Sequence, residues 1–165
     1  MPNEIPTYHF AVRPDLKDDA RFVPTRATDR ATGWDVRAAF KGEKLTLKAG
    51  QYAKIPLGIR GFCPNGWWYK LVPRSSTFGK KLLHCLYGTV DEDYEGELIF
   101  ACQYLPDTTA MGKDLTIDFA EAIGQIIPEK RQDAKMVQAT NEELDALFAT
   151  RNGARGTGGF GSTGK

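Results

Sequence analysis

Apolar and polar residues follow one another along this chain in short runs with a period of two. Leu45-Thr-Leu47 and Ile55-Pro-Leu57-Gly-Ile59 alternate in the manner of half-buried strands, and Lys48-Ala-Gly50 between them reads as a turn. Cys63-Pro-Asn-Gly66 is a strong turn signal. The aromatic and β-branched run that follows, Trp67-Trp-Tyr-Lys-Leu-Val72, predicts a strand ended by Pro73. Two more apolar runs, residues 82–87 and 98–102, flank an acidic, glycine-bounded stretch, Gly88-Thr-Val-Asp-Glu-Asp-Tyr-Glu-Gly96. That pattern predicts a hairpin whose bend carries carboxylates while its arms fix their position. Residues 115–119 and 123–127 give two further short strands, and Tyr8-His-Phe-Ala-Val12 an edge strand followed by loop. Only Thr140-Asn-Glu-Glu143 has the spacing of a capping box, which predicts a helix over 141–148.

Many short strands, frequent turns and at most one short helix imply an all-β sandwich or barrel. A length of 165 residues suits one domain with a sizeable core. Glycine supplies six of the last fifteen residues and no acid appears there, so 151–165 cannot build a core. The expected organisation is therefore a β domain over 1–150, with no role assigned to 1–30 or 103–114, and a flexible glycine-rich tail over 151–165. A formal charge of +1 excludes a broad basic footprint for nucleic acid. Cys63, Cys85 and Cys102 are odd in number and widely spaced, which indicates neither a zinc site nor a disulfide framework. With no signal-peptide pattern at the N-terminus and no run of about 18 apolar residues, the expected setting is a reducing cytoplasm without a membrane span.

Three clusters carry chemistry. Arg74-Ser75-Ser76, at the end of an aromatic strand, offers a guanidinium fork, two hydroxyls and backbone N–H groups, a set suited to phosphate, although the tripeptide is equally a plain loop sequence. The tail, Arg155-Gly-Thr-Gly-Gly-Phe-Gly-Ser-Thr-Gly164, matches G-x-G-x-x-G formally at Gly156, Gly158 and Gly161. No strand precedes it and no helix can follow, so the dinucleotide reading fails. Its glycines allow close wrapping around a ligand, with Arg155, Ser162 and Thr163 toward phosphate and Phe160 toward a base. The acidic bend supplies Asp91, Asp93 and Tyr94: a carboxylate beside a polyphosphate can activate water, and the ring offers a face to a sugar. Side-chain chemistry alone does not choose between Asp91 and Asp93.

Ala31-Thr-Gly-Trp-Asp-Val36, Pro73-Arg-Ser-Ser76, Gly88-Thr-Val-Asp-Glu-Asp-Tyr-Glu-Gly96, Ala122-Ile-Gly-Gln-Ile-Ile127 and the 155–164 tail follow one another in the order and approximate spacing of five motifs. In this the chain resembles the trimeric dUTPases over roughly residues 31–164. The resemblance implies a jelly-roll-like distorted barrel, a homotrimer with three active sites each built from all three chains, and hydrolysis of dUTP to dUMP and pyrophosphate with Mg2+. It implies Asp91 as the base that activates water for attack on the α-phosphorus, and Tyr94 under the deoxyribose, excluding a 2′-hydroxyl. Main-chain groups around Cys85, Thr89 and Val90 would read the uracil edge. Arg74, Ser75, Ser76 and Gln125 would hold phosphates, Arg155, Ser162 and Thr163 would close on the γ-phosphate, and Phe160 would cover the base. Asp35 would orient water around the metal ion.

The sequence departs from that pattern in four places. Trp34 and Val36 replace residues that are usually smaller or tyrosyl, and leucine. Ala120-Glu-Ala122 lacks the glycine and the base that usually open the fourth motif, and Cys85 stands where many members have asparagine. Two rival readings follow from the same residues. A dCTP deaminase, on a similar fold with an Arg-Ser-Ser motif, needs a glutamate base, for which Glu92 and Glu97 are the nearby candidates. An interaction protein would keep the trimer and bind a regulatory protein partner, which no motif names.

Overall fold

The backbone follows the period-two pattern closely. In chain order the strands are β1 (His9–Val12), β2 (Trp34–Arg37), β3 (Lys44–Leu47), β4 (Tyr52–Pro56), β5 (Ile59–Phe62) and β6 (Trp67–Pro73). A single turn of helix, α1 (Ser75–Gly79), is followed by β7 (Leu83–Cys85), β8 (Gly88–Val90), β9 (Ile99–Tyr104), β10 (Leu115–Asp118) and β11 (Ala122–Lys130). The chain divides into two units, Met1–Arg131 and Gln132–Lys165. The computed structural model describes residues 5–151. In the second unit, α2 (Asn141–Ala149) opens on the predicted capping box: Thr140 Oγ1 accepts from Glu143 N–H at 3.2 Å, and Thr140 N–H donates to Glu143 Oε2 at 2.7 Å. No helix among the described residues is long and apolar enough to cross a membrane.

All strand pairs in the first unit are antiparallel. They form a four-stranded sheet in the order β2-β11-β6-β8, a three-stranded sheet β4-β9-β7, and the pairs β1-β5 and β3-β10. Alternate residues from these sheets meet in one core, where Leu47, Ile55, Leu57, Leu83, Phe100, Ile117 and Ile123 are fully buried. A smaller cluster, Leu16, Phe22, Ala39 and Ala120, lies under two 3-10 turns of the N-terminal segment. The chain is thus the mostly β protein its sequence predicts.

Several local readings change. The run 55–59 is two strands, because Gly58 adopts φ +68° and a Cβ there would strike Leu16 and Ala39. Residues 82–87 and 98–102 do pair, as β7 against β9, yet Gly88–Val90 leaves that ladder and joins β6 as β8. Pro73-Arg-Ser-Ser leads into a turn of helix rather than a bare strand end.

Candidate active site

The β2-β11-β6 ladder gathers the first group of predicted residues. Gln125 on β11 lies directly opposite Asp35 on β2 and Val72 on β6. Side chains opposite one another across a ladder share a face, so Asp35 and Gln125 are neighbours. Arg74 follows β6 and is the residue from which α1 springs. Its Nε contacts Asp35 Oδ1 at 3.2 Å, and its Nη1 donates to Ala122 O at 3.3 Å. Gln125 Nε2 donates to Pro73 O at 3.4 Å. Thr77 is the one buried polar side chain among the described residues, and its hydroxyl donates to Ile123 O at 2.7 Å, which clips α1 onto β11. A guanidinium carries five N–H donors, so Arg74 keeps donors for a ligand after meeting Asp35 and Ala122. Ser75 is exposed and Ser76 half-buried beside it.

The altered fourth motif keeps its shape. Ala120 adopts φ 60°, the left-handed conformation that favours glycine, and the turn is held from several sides. Ala120 N–H donates to Ala38 O at 2.8 Å, Arg37 Nη1 donates to Ala120 O at 2.9 Å, and Glu121 N–H donates to Asp118 O at 3.1 Å. The missing glycine therefore costs strain and leaves β11, and Gln125 on it, in place.

The second group surrounds the acidic bend. Both β7 and β8 are edge strands of their sheets. Leu86 N–H donates to Ala101 O and Leu105 N–H to Leu82 O, so the hydrogen-bonded pairs fall at 82 and 86 and Cys85 opposite Cys102 is a non-hydrogen-bonded pair. The main-chain N–H and C=O of Cys85 consequently point to the open side of β7. Burial pushes the Cys85 thiol up to about 12, with the Cys102 thiol beside it adding to the effect. Thr89 is exposed on β8, and Val90 is buried next to it.

Beyond β8 the carboxylates divide by role. Glu92 accepts from Gly66 N–H at 2.9 Å and from Arg131 Nη1 at 2.7 Å. Glu97 accepts from Gly58 N–H at 2.8 Å and from Arg13 Nη1 at 2.9 Å. These two hold the bend to neighbouring turns. Asp91 is exposed, and among the described residues its carboxylate has no hydrogen-bond or ion-pair partner; the same holds for Asp93. Tyr94 is 46% exposed, its hydroxyl donates to Glu97 O at 2.9 Å, and its ring covers Gly96, where a Cβ would collide with it. A cavity of about 460 Å³ lies between this bend and the β1-β5 pair, with Arg60, Phe62, Asp93 and Tyr94 in its wall and neither Asp91 nor Arg74.

One chain keeps the two groups apart. Val90, the neighbour of Asp91, is paired with Tyr69, and Arg74 lies five residues farther along. At about 3.3 Å per residue this is roughly 17 Å. Arg155, Phe160, Ser162 and Thr163 lie outside the described residues. Sequence reasoning missed the supports: Arg13, Thr77, Glu92 and Glu97. A threonine inside Arg-Ser-Ser-Thr carries no mark of burial, and Arg13 meets Glu97 only through the fold.

The dUTPase family model matches residues 20–164. The deoxyuridine 5'-triphosphate nucleotidohydrolase of Fusobacterium nucleatum is 34% identical over 152 residues, covering 91% of this chain and 94% of its own. That of Chlamydia trachomatis serovar D is 36% identical over 145 residues, covering 87% and 91%. Among solved structures, a variant dUTPase of Staphylococcus bacteriophage 80alpha with dUpNHpp superimposes with a TM-score of 0.76 at 20% identity, covering 96% of this chain and 99% of that one. With an acidic bend leaving an edge strand, an arginine-serine turn clipped to the neighbouring strand, and a family match over nearly the whole length, the chain belongs to the dUTPase family.

Proposed function

We propose that this protein hydrolyses dUTP to dUMP and pyrophosphate, as a homotrimer whose sites combine the two groups of residues from different chains. The observation that carries the reading is the division of labour in the acidic bend: Glu92 and Glu97 are committed to structural bonds, while Asp91 stands exposed beside the supported ring of Tyr94. Asp91 accepts a proton from the water that attacks the α-phosphorus in line. Main-chain groups at Cys85, Thr89 and Val90 face the uracil edge, where a rigid backbone distinguishes bases by donor and acceptor pattern. Tyr94 lies under the deoxyribose and leaves no space for a 2′-hydroxyl. Arg74, Ser75, Ser76 and Gln125 of a neighbouring chain bind phosphate oxygens, and the 151–165 segment, through Arg155, Phe160, Ser162 and Thr163, covers the nucleotide and excludes water. Holding water, base and phosphorus in line contributes about 7–11 kcal/mol to such reactions.

The residues fit Mg2+ brought by the triphosphate. Asp35 is a partly exposed carboxylate facing the phosphate-binding side chains, and Mg2+ characteristically keeps its waters and takes one or two carboxylates plus substrate phosphates. When bound, the ion would neutralise phosphate charge; Asp35 would hold one of its waters. Glu92 and Glu97, the two glutamates considered for a deaminase base, are instead bound to backbone N–H groups and arginines.

The test is incubation with dUTP and with dCTP, with and without a chelator. Pyrophosphate and dUMP from dUTP, suppressed by the chelator, are expected. Ammonia from dCTP, or intact dUTP with ample magnesium, would overturn the reading.

A further inference from the structure

The N-terminal segment reaches the acidic bend through one side chain. Arg13, immediately after β1, donates from Nη1 to Glu97 Oε1 at 2.9 Å and from Nη2 to Ala39 O at 2.9 Å. Its Nε contacts Asp15 Oδ1 at 2.7 Å. Its own N–H donates to Gly58 O at 2.8 Å, while Gly58 N–H donates to the same Glu97 Oε1 at 2.8 Å. Arg13, Gly58 and Glu97 therefore close a ring of bonds. The ring continues outward, because the main-chain carbonyl of Glu97 accepts the hydroxyl of Tyr94 at 2.9 Å. Arg13 sits 84 residues away from Glu97 in sequence, and among the described residues nothing else in the N-terminal segment hydrogen-bonds to the bend.

We propose that Arg13 is a positioning residue for Tyr94, acting through Glu97, and so helps to set the discrimination between a deoxyribose and a ribose. The proposal rests on the reading of Tyr94 as the ring beneath the sugar. A phenol ring excludes a 2′-hydroxyl only if it cannot retreat. Gly96 lets the ring lie flat on the chain, and the Glu97 carbonyl anchors its far end. That carbonyl is fixed in part by the adjoining ladder, where Leu98 N–H donates to Ile59 O and Leu57 N–H to Leu98 O. The Glu97 side chain supplies the remaining tether. The Arg13 and Glu97 side chains are 27% and 33% exposed, so the pair is half-sheltered, and each partner makes further bonds that hold it in one geometry. Loss of Arg13 leaves Glu97 with a single N–H donor and its charge unpaired, which frees the bend to relax away from the sugar.

The experiment compares kcat and KM for dUTP and for UTP in the full-length protein and its variants. Arg13→Met is expected to lower the ratio of kcat/KM for dUTP over UTP by about tenfold, the scale at which small misplacements of positioning groups act, with the dUTP loss appearing mainly in KM. Arg13→Lys is expected to restore much of the ratio. Glu97→Met, which removes the accepting oxygen, is expected to reproduce the defect, and the double variant to be no worse than either single one. If Arg13→Met does not fold, Glu97→Met alone decides. Tyr94→Ala separates the two levels of the argument. Lost discrimination in Tyr94→Ala with an unchanged ratio in Arg13→Met and Glu97→Met overturns the role of Arg13. Unchanged discrimination in Tyr94→Ala removes the sugar-reading role of Tyr94, and the proposal with it.

Discussion

Within the acidic bend, five carboxylates crowd into the seven positions 91–97, and what distinguishes them is what each already touches. A carboxylate that accepts a backbone N–H and an arginine is held in one geometry with its charge paired, as at Glu92 and Glu97. Among the described residues Asp91 has neither, so its oxygens stay open to a ligand. Replacement of Asp91 by asparagine preserves shape and removes the proton acceptor. Turnover of dUTP in Asp91→Asn is expected to fall about 10²- to 10⁴-fold, the worth of a general base, with nucleotide affinity retained. Equilibrium binding of a non-hydrolysable dUTP analogue beside single-turnover kinetics measures both. An equal loss of binding and turnover would remove Asp91 from the role of base. Residue chemistry also explains how Ala120 occupies a glycine position: its left-handed φ costs about 1–2 kcal/mol, and three hydrogen bonds around it hold the turn.

Single elements matter where a short one depends on a long one. The five residues of α1 are too few for a helix to persist by itself, and the turn is held in place by Thr77 against β11. Thr77→Val keeps the volume and leaves Ile123 O with only the long bond from Arg74 N–H at 3.5 Å. Unfolding in urea should show a loss of about 1–2 kcal/mol for a buried carbonyl stripped of its strong donor. Because Ser75 and Ser76 ride on the same turn, KM for dUTP should rise in parallel. A stability loss without any change in KM would separate α1 from the phosphate site.

At the scale of the whole molecule, the register of β6 sets Asp91 and Arg74 apart, and the proposal of a site shared between chains makes a direct prediction. Asp91→Asn and Arg74→Ala chains, each inactive alone, should regain activity when unfolded together and refolded. Random mixing gives about a quarter of the sites both intact groups if different chains supply them, and none if one chain does. The thiols give a second global prediction. Burial raises Cys85 to about 12 and Cys63 and Cys102 to about 11, from ordinary values near 9.0. In the unfolded chain these groups lose their protons first, so stability is fully present below about pH 9 and falls as pH rises toward the folded values. Thermal melts from pH 7 to 11 check the trend, and Cys102→Ala should flatten the alkaline limb.

The sequence alone determined the strand periodicity, the α2 cap and the identity of the motifs, because each is written in neighbouring residues: alternation, a Thr-x-x-Glu spacing, a run of acids between glycines. It did not reveal that 55–59 breaks at Gly58, since the break comes from Leu16 and Ala39 packing where a Cβ would stand. Nor did it reveal which acids of the bend are committed to structure. Glu97 and Asp91 look alike in the string, and only the arrival of Arg13 and Gly58, from elsewhere in the chain, ties up one and leaves the other open. Local spacing fixes what an element is; contacts between distant segments decide which of its side chains remain free to act.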